Sequence, residues 1–320
     1  MSRFTVTVTR RLPEAVEARL QTLFDVRLRE DDRPLTREEL TAADCDVLVP
    51  TLSDKIDAAV IAGAGPELKL IASFGAGTDH IDLPAAKARG IAVTNTPDVL
   101  TQDTADIFLA LILSAARGLG EGERLLRAGG WTGWSPTNLL GRSVTGKTLA
   151  IVGMGRIGRA LARRAKACGM RIQYHNRRRL DAAAQAETDA RWSPELDPLL
   201  AAADVVALCC PYSRETHHLI DARRLALLKP DAFLINAARG AVVAEEALLE
   251  ALEGGRIAGA GLDVYPKEPE VNPRFLALPN VTLLPHLGSA TIEGRTAMGE
   301  KVIANILAWS RGEDLPDRVV

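Results

Sequence analysis

Two stretches of this 320-residue chain carry residue types at spacings that chemistry can use, Gly153-Met154-Gly155-Arg156-Ile157-Gly158 and Asn176-Arg177-Arg178-Arg179. The first has the form G-x-G-x-x-G. That pattern alone is common, but here it follows the apolar run Leu149-Ala150-Ile151-Val152 directly and leads into a helix expected over 160–168. In such a setting Gly153 and Gly155 permit a tight turn and close approach of a pyrophosphate, and Gly158 lets helix and strand pack. The amides around Arg156 and Ile157 at the helix start face the phosphates. The second stretch closes the next expected strand, 172–175, where an acidic residue would hold the ribose hydroxyls of NAD. Asn176 with Arg177 and Arg178 instead suits a 2′-phosphate, which guanidinium groups hold by charge-assisted hydrogen bonds and a carboxylate would repel. NADP (NADPH) is the expected cofactor and NAD the weaker one; a solvated basic loop is the plain alternative.

Further polar groups follow expected strands in Asn236-Ala237-Ala238-Arg239-Gly240, in Gly261-Leu262-Asp263-Val264-Tyr265-Pro266-Lys267-Glu268-Pro269 and in Leu284-Pro285-His286-Leu287-Gly288-Ser289-Ala290-Thr291. In open α/β sheets the carboxyl ends of the strands line the ligand crevice. Taken singly, an Arg, a Glu or a His in a loop is more often structural than catalytic. Arg239, Glu268 and His286, in this order and setting, are harder to dismiss.

The elements that must carry these groups follow a βα rhythm. Strands are expected over 4–9, 47–50, 70–73 and 91–94, with helices over 13–23 and near 56–62. The rhythm resumes at 149–152 and continues through strands at 172–175, 205–210, 233–236, 259–263 and 281–284. Strands alternating with helices imply parallel sheets covered on both faces. The expected fold is therefore α/β, with two Rossmann-like doubly wound parallel-sheet domains flanking a cleft. A helix from Thr101, apolar almost all round through Ile107-Phe108-Leu109-Ala110-Leu111-Ile112-Leu113, is expected to be buried between domains or subunits. A last helix over 291–309, before a polar tail, is free to return to the first domain. The domains are thus expected at 1–99 with 288–320, the discontinuous substrate-binding domain, and at 100–287, the NADP-binding domain.

Composition narrows the partners. With 47% hydrophobic and 25% charged residues the chain has the balance of a soluble globular protein, and its net charge of −2 provides no field for nucleic acid or an anionic membrane. Its longest apolar run, 107–116, is short of the roughly 20 residues of a bilayer span. The strand-like start Met1-Ser2-Arg3-Phe4-Thr5-Val6 lacks the apolar block of a secretory signal, so a cytoplasmic location is expected. Cys45, Cys168, Cys209 and Cys210 have no metal-ligand spacing and read as buried, reduced thiols. Adjacent His217 and His218 read as a solvated loop, since neighbouring side chains seldom converge on one ion and no third ligand is near. No metal is expected.

Nearly the whole chain resembles the D-isomer-specific 2-hydroxyacid dehydrogenases, within them the glyoxylate/hydroxypyruvate reductases. The likeness rests on Ser73-Phe74-Gly75-Ala76-Gly77-Thr78-Asp79-His80-Ile81-Asp82, on Asn95-Thr96-Pro97-Asp98-Val99-Leu100-Thr101, and on the glycine turn and the polar segments above. It implies that Arg239, Glu268 and His286 form a catalytic triad. It also implies that the amides of Ala76 and Gly77 hold the substrate carboxylate, that Asp263 meets the nicotinamide carboxamide, and that the enzyme is a homodimer through its cofactor domain. Thr104 and Pro211 join the expected cofactor set. Leu52 is either beside the substrate or ordinary core. Trp134 is either a core or interface anchor or, by the resemblance, a visitor to the partner subunit's active site.

The chemistry accounts for these residue types. Reducing a 2-keto acid delivers hydride to the carbonyl carbon while the oxygen takes a proton, so a cationic acid must stand beside that oxygen. His286 fits, and a carboxylate partner, Glu268, favours the protonated imidazole. Arg239 would hold the substrate carboxylate and polarise the carbonyl. The expected reaction is NADPH-dependent reduction of glyoxylate and hydroxypyruvate to glycolate and D-glycerate. D-lactate or broader 2-keto acid dehydrogenases remain alternatives, as do relatives that act as dinucleotide-sensing corepressors. Formate dehydrogenases are disfavoured, because they carry Gln where this chain has Glu268.

Overall fold

The computed structural model describes residues 4–320; Met1-Ser2-Arg3, with which the expected first strand-like stretch opens, lie outside the described residues. The chain divides into two compact units, one of Met1–Leu100 with Ala290–Val320 and one of Thr101–Ser289. Each is built on a parallel sheet, as the α/β rhythm requires.

In the first unit β1 (Thr5–Val8), β2 (Asp25–Arg27), β3 (Val47–Val49), β4 (Leu70–Ala72) and β5 (Ala92–Thr94) stand in the order β2-β1-β3-β4-β5. Alternation decides what each face buries. Val6, Val47, Val49, Leu70 and Ala72 pack under Met298, Val302, Ile303 and Ile306 of the helix Ile292–Ser310, while Leu48, Ile71 and Val93 pack with Ile56, Val60 and Ile61 on the other face. Gly299 lets that helix cross Glu14–Leu23 closely, since a Cβ there would stand 2.4 Å from the Val16 methyls. The terminal tail is not loose. Val319 N–H donates to Val93 O at 2.7 Å and Thr94 bridges Arg318 antiparallel, which covers the β5 edge. β2 has no counterpart among the expected strands, because Asp25 and Arg27 are exposed and offer no apolar alternation to read.

In the second unit β6 (Thr148–Val152), β7 (Arg171–His175), β8 (Arg191–Trp192), β9 (Val205–Leu208), β10 (Phe233–Asn236), β11 (Gly259–Leu262) and β12 (Val281–Leu283) stand in the order β12-β11-β10-β9-β6-β7-β8. The order reverses between β6 and β9, the kind of switch point at which open α/β sheets bind ligands. The helix after the glycine turn spans Arg156–Ala167, starting earlier than expected because Gly155 itself is its N-terminal cap. The helix Thr101–Arg117 packs against it and the sheet with Thr104, Ala105, Phe108, Leu111, Ile112 and Ala116. This corrects the expectation of all-round burial: Ile107, Leu109 and Leu113 are half-buried and Ala110 is exposed, so one face stays open in the single chain. The helix Leu119–Arg127 that follows has no buried residue. Cys45 and Cys210 are buried free thiols, and burial also raises the Cys209 thiol although that residue is partly covered, but Cys168 is only partly covered, unlike the expectation for it. No helix among the described residues is long and apolar enough to cross a membrane.

Candidate active site

The candidate chemistry of the second unit gathers at the carboxyl ends of β10, β11 and β12. Arg239 follows β10 in a turn held by Asn236, whose side chain accepts from Ala238 N–H at 3.1 Å and donates to Arg239 O at 2.9 Å. Gly240 then runs against the next loop, where a Cβ would sit 2.0 Å from the Tyr265 carbonyl carbon, so only glycine fits. This close approach brings the Arg239 charge within reach of Glu268. Arg239 Nη1 donates to Ala238 O at 2.8 Å.

His286 follows β12 with φ 56°, a left-handed backbone uncommon for a residue with a Cβ. It is over-determined by neighbours. Its N–H donates to Asp263 O at 2.9 Å, while the Asp263 carboxylate accepts from Leu287 N–H at 2.6 Å and Gly288 N–H at 2.9 Å. From the helix Thr101–Arg117, the Thr104 hydroxyl donates to Gly288 O at 2.8 Å. Asp263 is fully buried, and burial pushes its carboxyl above the ordinary value. Held this way, the imidazole Nδ1 lies 2.7 Å from Glu268 Oε2, leaving Nε2 without a hydrogen-bond partner among the described residues. Glu268 Oε1 accepts from Tyr265 N–H at 2.9 Å. Burial alone would raise the Glu268 carboxyl, but the His286 hydrogen bond and charge, the Tyr265 amide and the Arg239 charge bring it below the ordinary value. An imidazole with one nitrogen tied to a carboxylate and the other open is the arrangement of a proton donor to a bound oxygen.

The glycine turn shows why its residues are needed. Gly153 has φ 99° and lies against Cys210 N, 2.5 Å from where a Cβ would be, while a Cβ at Gly158 would collide with Gly153 O at 2.4 Å. Around Gly155 there is open space, and neither its amide nor that of Ile157 donates to a group among the described residues. Open volume beside undirected amides at a helix start fits a pyrophosphate. Asn176 is part of the turn's own scaffold, its Oδ1 accepting Met154 N–H at 2.7 Å. Arg156, Arg177 and Arg178 are exposed. Arg179 is drawn aside, to Gln185 Oε1 at 2.9 Å and over the Trp192 ring. Pro211, at the exit of β9, is exposed and its carbonyl accepts the Thr216 hydroxyl at 2.8 Å. The His217 and His218 rings stack at 3.9 Å.

In the first unit, the loop after β4 carries Gly75, Ala76 and Gly77. Asn95 Nδ2 donates to Ala76 O at 2.7 Å and Thr96 N–H to Gly75 O at 3.0 Å, yet the amides of Ala76 and Gly77 donate to nothing among the described residues. Leu52, half-buried, packs on Gly75, with its Cδ2 2.7 Å from where a Cβ would stand. Trp134 is 83% exposed in the single chain, so it is no core residue.

The model of the D-isomer specific 2-hydroxyacid dehydrogenase NAD-binding domain matches residues 109–288. The chain belongs to that family. Among its D-2-hydroxyacid dehydrogenase relatives, the glyoxylate reductase of Pyrococcus furiosus is 46% identical over 320 residues, covering 98% of this chain and 94% of that one. That of Thermococcus onnurineus is 45% identical, covering 98% and 95%. Among solved structures, the TT0316 protein of Thermus thermophilus matches with a TM-score of 0.92 at 44% identity, over 99% of this chain and 100% of that one. An NADPH-dependent glyoxylate/hydroxypyruvate reductase of Sinorhizobium meliloti, in complex with NADP and malonate, matches at 0.88 and 36%, over 100% and 97%. The chain is thus an oxidoreductase of the 2-hydroxyacid dehydrogenases with an NAD-binding domain. Sequence reading passed over Asn236 and Tyr265, which shape the surroundings of Arg239 and Glu268. Their signal was present in the polar Asn closing an apolar strand and in a Tyr with a hydroxyl to satisfy.

Proposed function

We propose that this dehydrogenase reduces small 2-keto acids, glyoxylate and hydroxypyruvate foremost, to glycolate and D-glycerate with NADPH. The observation that supports this most is the 2.7 Å pairing of His286 with Glu268 beside Arg239, in the same unit as the glycine turn. Bound NADPH supplies the hydride that goes to the carbonyl carbon. His286 Nε2 gives the carbonyl oxygen its proton, and Glu268 favours the imidazolium that does so. Arg239 holds the substrate carboxylate with the amides of Ala76 and Gly77. In this reading the 1–99 and 288–320 segments form the substrate-binding domain and 100–287 the NADP-binding domain.

Gly153, Gly155, Ile157 and Gly158 hold the pyrophosphate, with Arg156, Thr104 and Pro211 lining the cofactor. Arg177 and Arg178, exposed and beside Asn176, meet the 2′-phosphate, and Asp263 the carboxamide. The cofactor domain pairs with a second copy through the open apolar stretch that includes Leu126 and Leu140, 61% and 75% exposed. Trp134 reaches toward the partner's site in that dimer, and Leu52 borders the substrate. The enzyme works in the cytoplasm. Following NADPH absorbance with glyoxylate, hydroxypyruvate, pyruvate and phenylpyruvate tests the reading: oxidation should be fastest with the first two. NADH serving as well as NADPH would defeat the cofactor assignment.

A further inference from the structure

One residue holds Glu268 directly and also holds the chain that leads into His286. Tyr265 is buried, 8% exposed, and its amide holds Glu268 Oε1 at 2.9 Å. Its hydroxyl donates to Leu284 O at 2.9 Å, with a longer approach to Leu262 O at 3.4 Å. Leu284 O is the natural handle on the chain entering His286. Leu284 N–H is engaged with Leu262 O at 2.8 Å and Pro285 has no N–H, so among the described residues it is the Tyr265 hydroxyl that hydrogen-bonds the Leu284–Pro285 peptide before His286 N–H meets Asp263 O. The Tyr265 backbone is itself fixed by Gly240, which leaves no space for a Cβ against its carbonyl carbon. Asp263 and Arg239 are the charged groups around the pair.

We propose that Tyr265 is a positioning residue for proton transfer, its hydroxyl setting the height of the His286 loop while its amide sets the carboxylate that the imidazole must meet. The inference rests on the reading of His286 as proton donor. Burial, with the Asp263 and Glu268 charges, pushes the phenol up to about 12, so it remains a donor throughout the working range. A phenylalanine would keep the ring and its packing and remove only the loop's grip on Leu284 O. The imidazole would then meet Glu268 less closely, and its protonated form would be less favoured.

The test is Tyr265→Phe in the full-length enzyme, with glyoxylate and NADPH as reactants over roughly pH 5 to 9, the span in which imidazole changes charge. Turnover is expected to fall about three- to tenfold, as for loss of one buried hydrogen bond. KM for NADPH should be unchanged, and the alkaline limb of the reduction profile should move to lower pH. Thr188→Val serves as control: it removes a hydroxyl bond to Ala184 O in a buried position away from the pair, and should lower the melting temperature without moving the pH profile. If Tyr265→Phe lowers only the melting temperature while turnover and profile overlay the parent, the hydroxyl is a structural bond and the proposal fails. If His286→Ala keeps parental turnover, the proton-donor reading fails and this inference with it, a result Tyr265→Phe alone could not imitate.

Discussion

The loops after β10, β11 and β12 and the stretch from Leu119 to Leu140 lie in the same unit, and they are built on opposite terms. In the first, Asn236, Asp263, Tyr265, Glu268 and His286 are tied to one another, and a left-handed histidine is held by amide and hydroxyl contacts from several sides. In the second, Leu119, Leu126, Trp131, Trp134, Leu139 and Leu140 are exposed, and the helix Leu119–Arg127 buries nothing. Apolar surface of this extent normally marks a contact still to be made. The His286–Glu268 pair is made within one chain, whereas the apolar stretch is left exposed in it, and the dimer proposed above would cover it.

If that contrast is right, changes in the first region should alter chemistry and changes in the second should alter assembly. The largest effect is expected from His286→Ala, which should lower turnover about 10²–10⁴-fold while leaving NADPH affinity nearly unchanged. Single-turnover reduction and a cofactor titration together check this. Next comes the basic turn. Arg177 and Arg178 changed to neutral residues should raise KM for NADPH roughly ten- to hundredfold and barely touch KM for NADH, as for loss of charge-assisted phosphate contacts. An equal loss with both cofactors would mean that the arginines serve the fold rather than the phosphate.

Glu268→Gln sharpens the account of the pair. It retains a hydrogen bond to His286 but withdraws the negative charge, so reduction should fail at lower pH than in the parent and oxidation of the hydroxy acid should gain at low pH. The parent carboxyl is held below its ordinary 4.5, which makes its folded-state contribution present above that pH and lost as pH falls through the lowered folded value. Thermal melts on the acid side should accordingly show the parent losing an advantage over Glu268→Gln as the pH drops below that range. Coincident reduction profiles for parent and variant would remove Glu268 from its role. The smallest effect on turnover should come from Leu126→Glu with Leu140→Glu. Light scattering at micromolar concentration should show the variant's mass halved relative to the parent, with turnover within a few-fold. A monomeric parent, or a loss of turnover comparable to His286→Ala, would break the contrast between the regions.

Much of this was legible in the sequence because local rules act at short range. The βα rhythm, the glycine turn and the position of polar residues after apolar strands identify two parallel sheets, since strand alternation and turn chemistry are properties of a few neighbouring residues. The short edge strands β2 and β8 escaped because an edge strand buries too little to impose a pattern. The helix Thr101–Arg117 misled for the opposite reason: a nearly continuous apolar run says that burial is wanted but not which face has a partner in the same chain.

What the sequence by itself determined is the fold and the residue types available for chemistry. Tertiary structure decided how those residues are used. Asn176 and Thr104, marked from the sequence as cofactor contacts, hold Met154 N–H and Gly288 O at distances that only folding creates. Asp263 grips the chain at His286, Leu287 and Gly288, and Tyr265 reaches from the end of β11 to Leu284 at the end of the neighbouring β12. Such contacts depend on the register of β10, β11 and β12, which brings residues far apart in sequence to one sheet edge. Side-chain pattern selects the strands, but the placing of a histidine within 2.7 Å of its carboxylate follows only once the strands are in register.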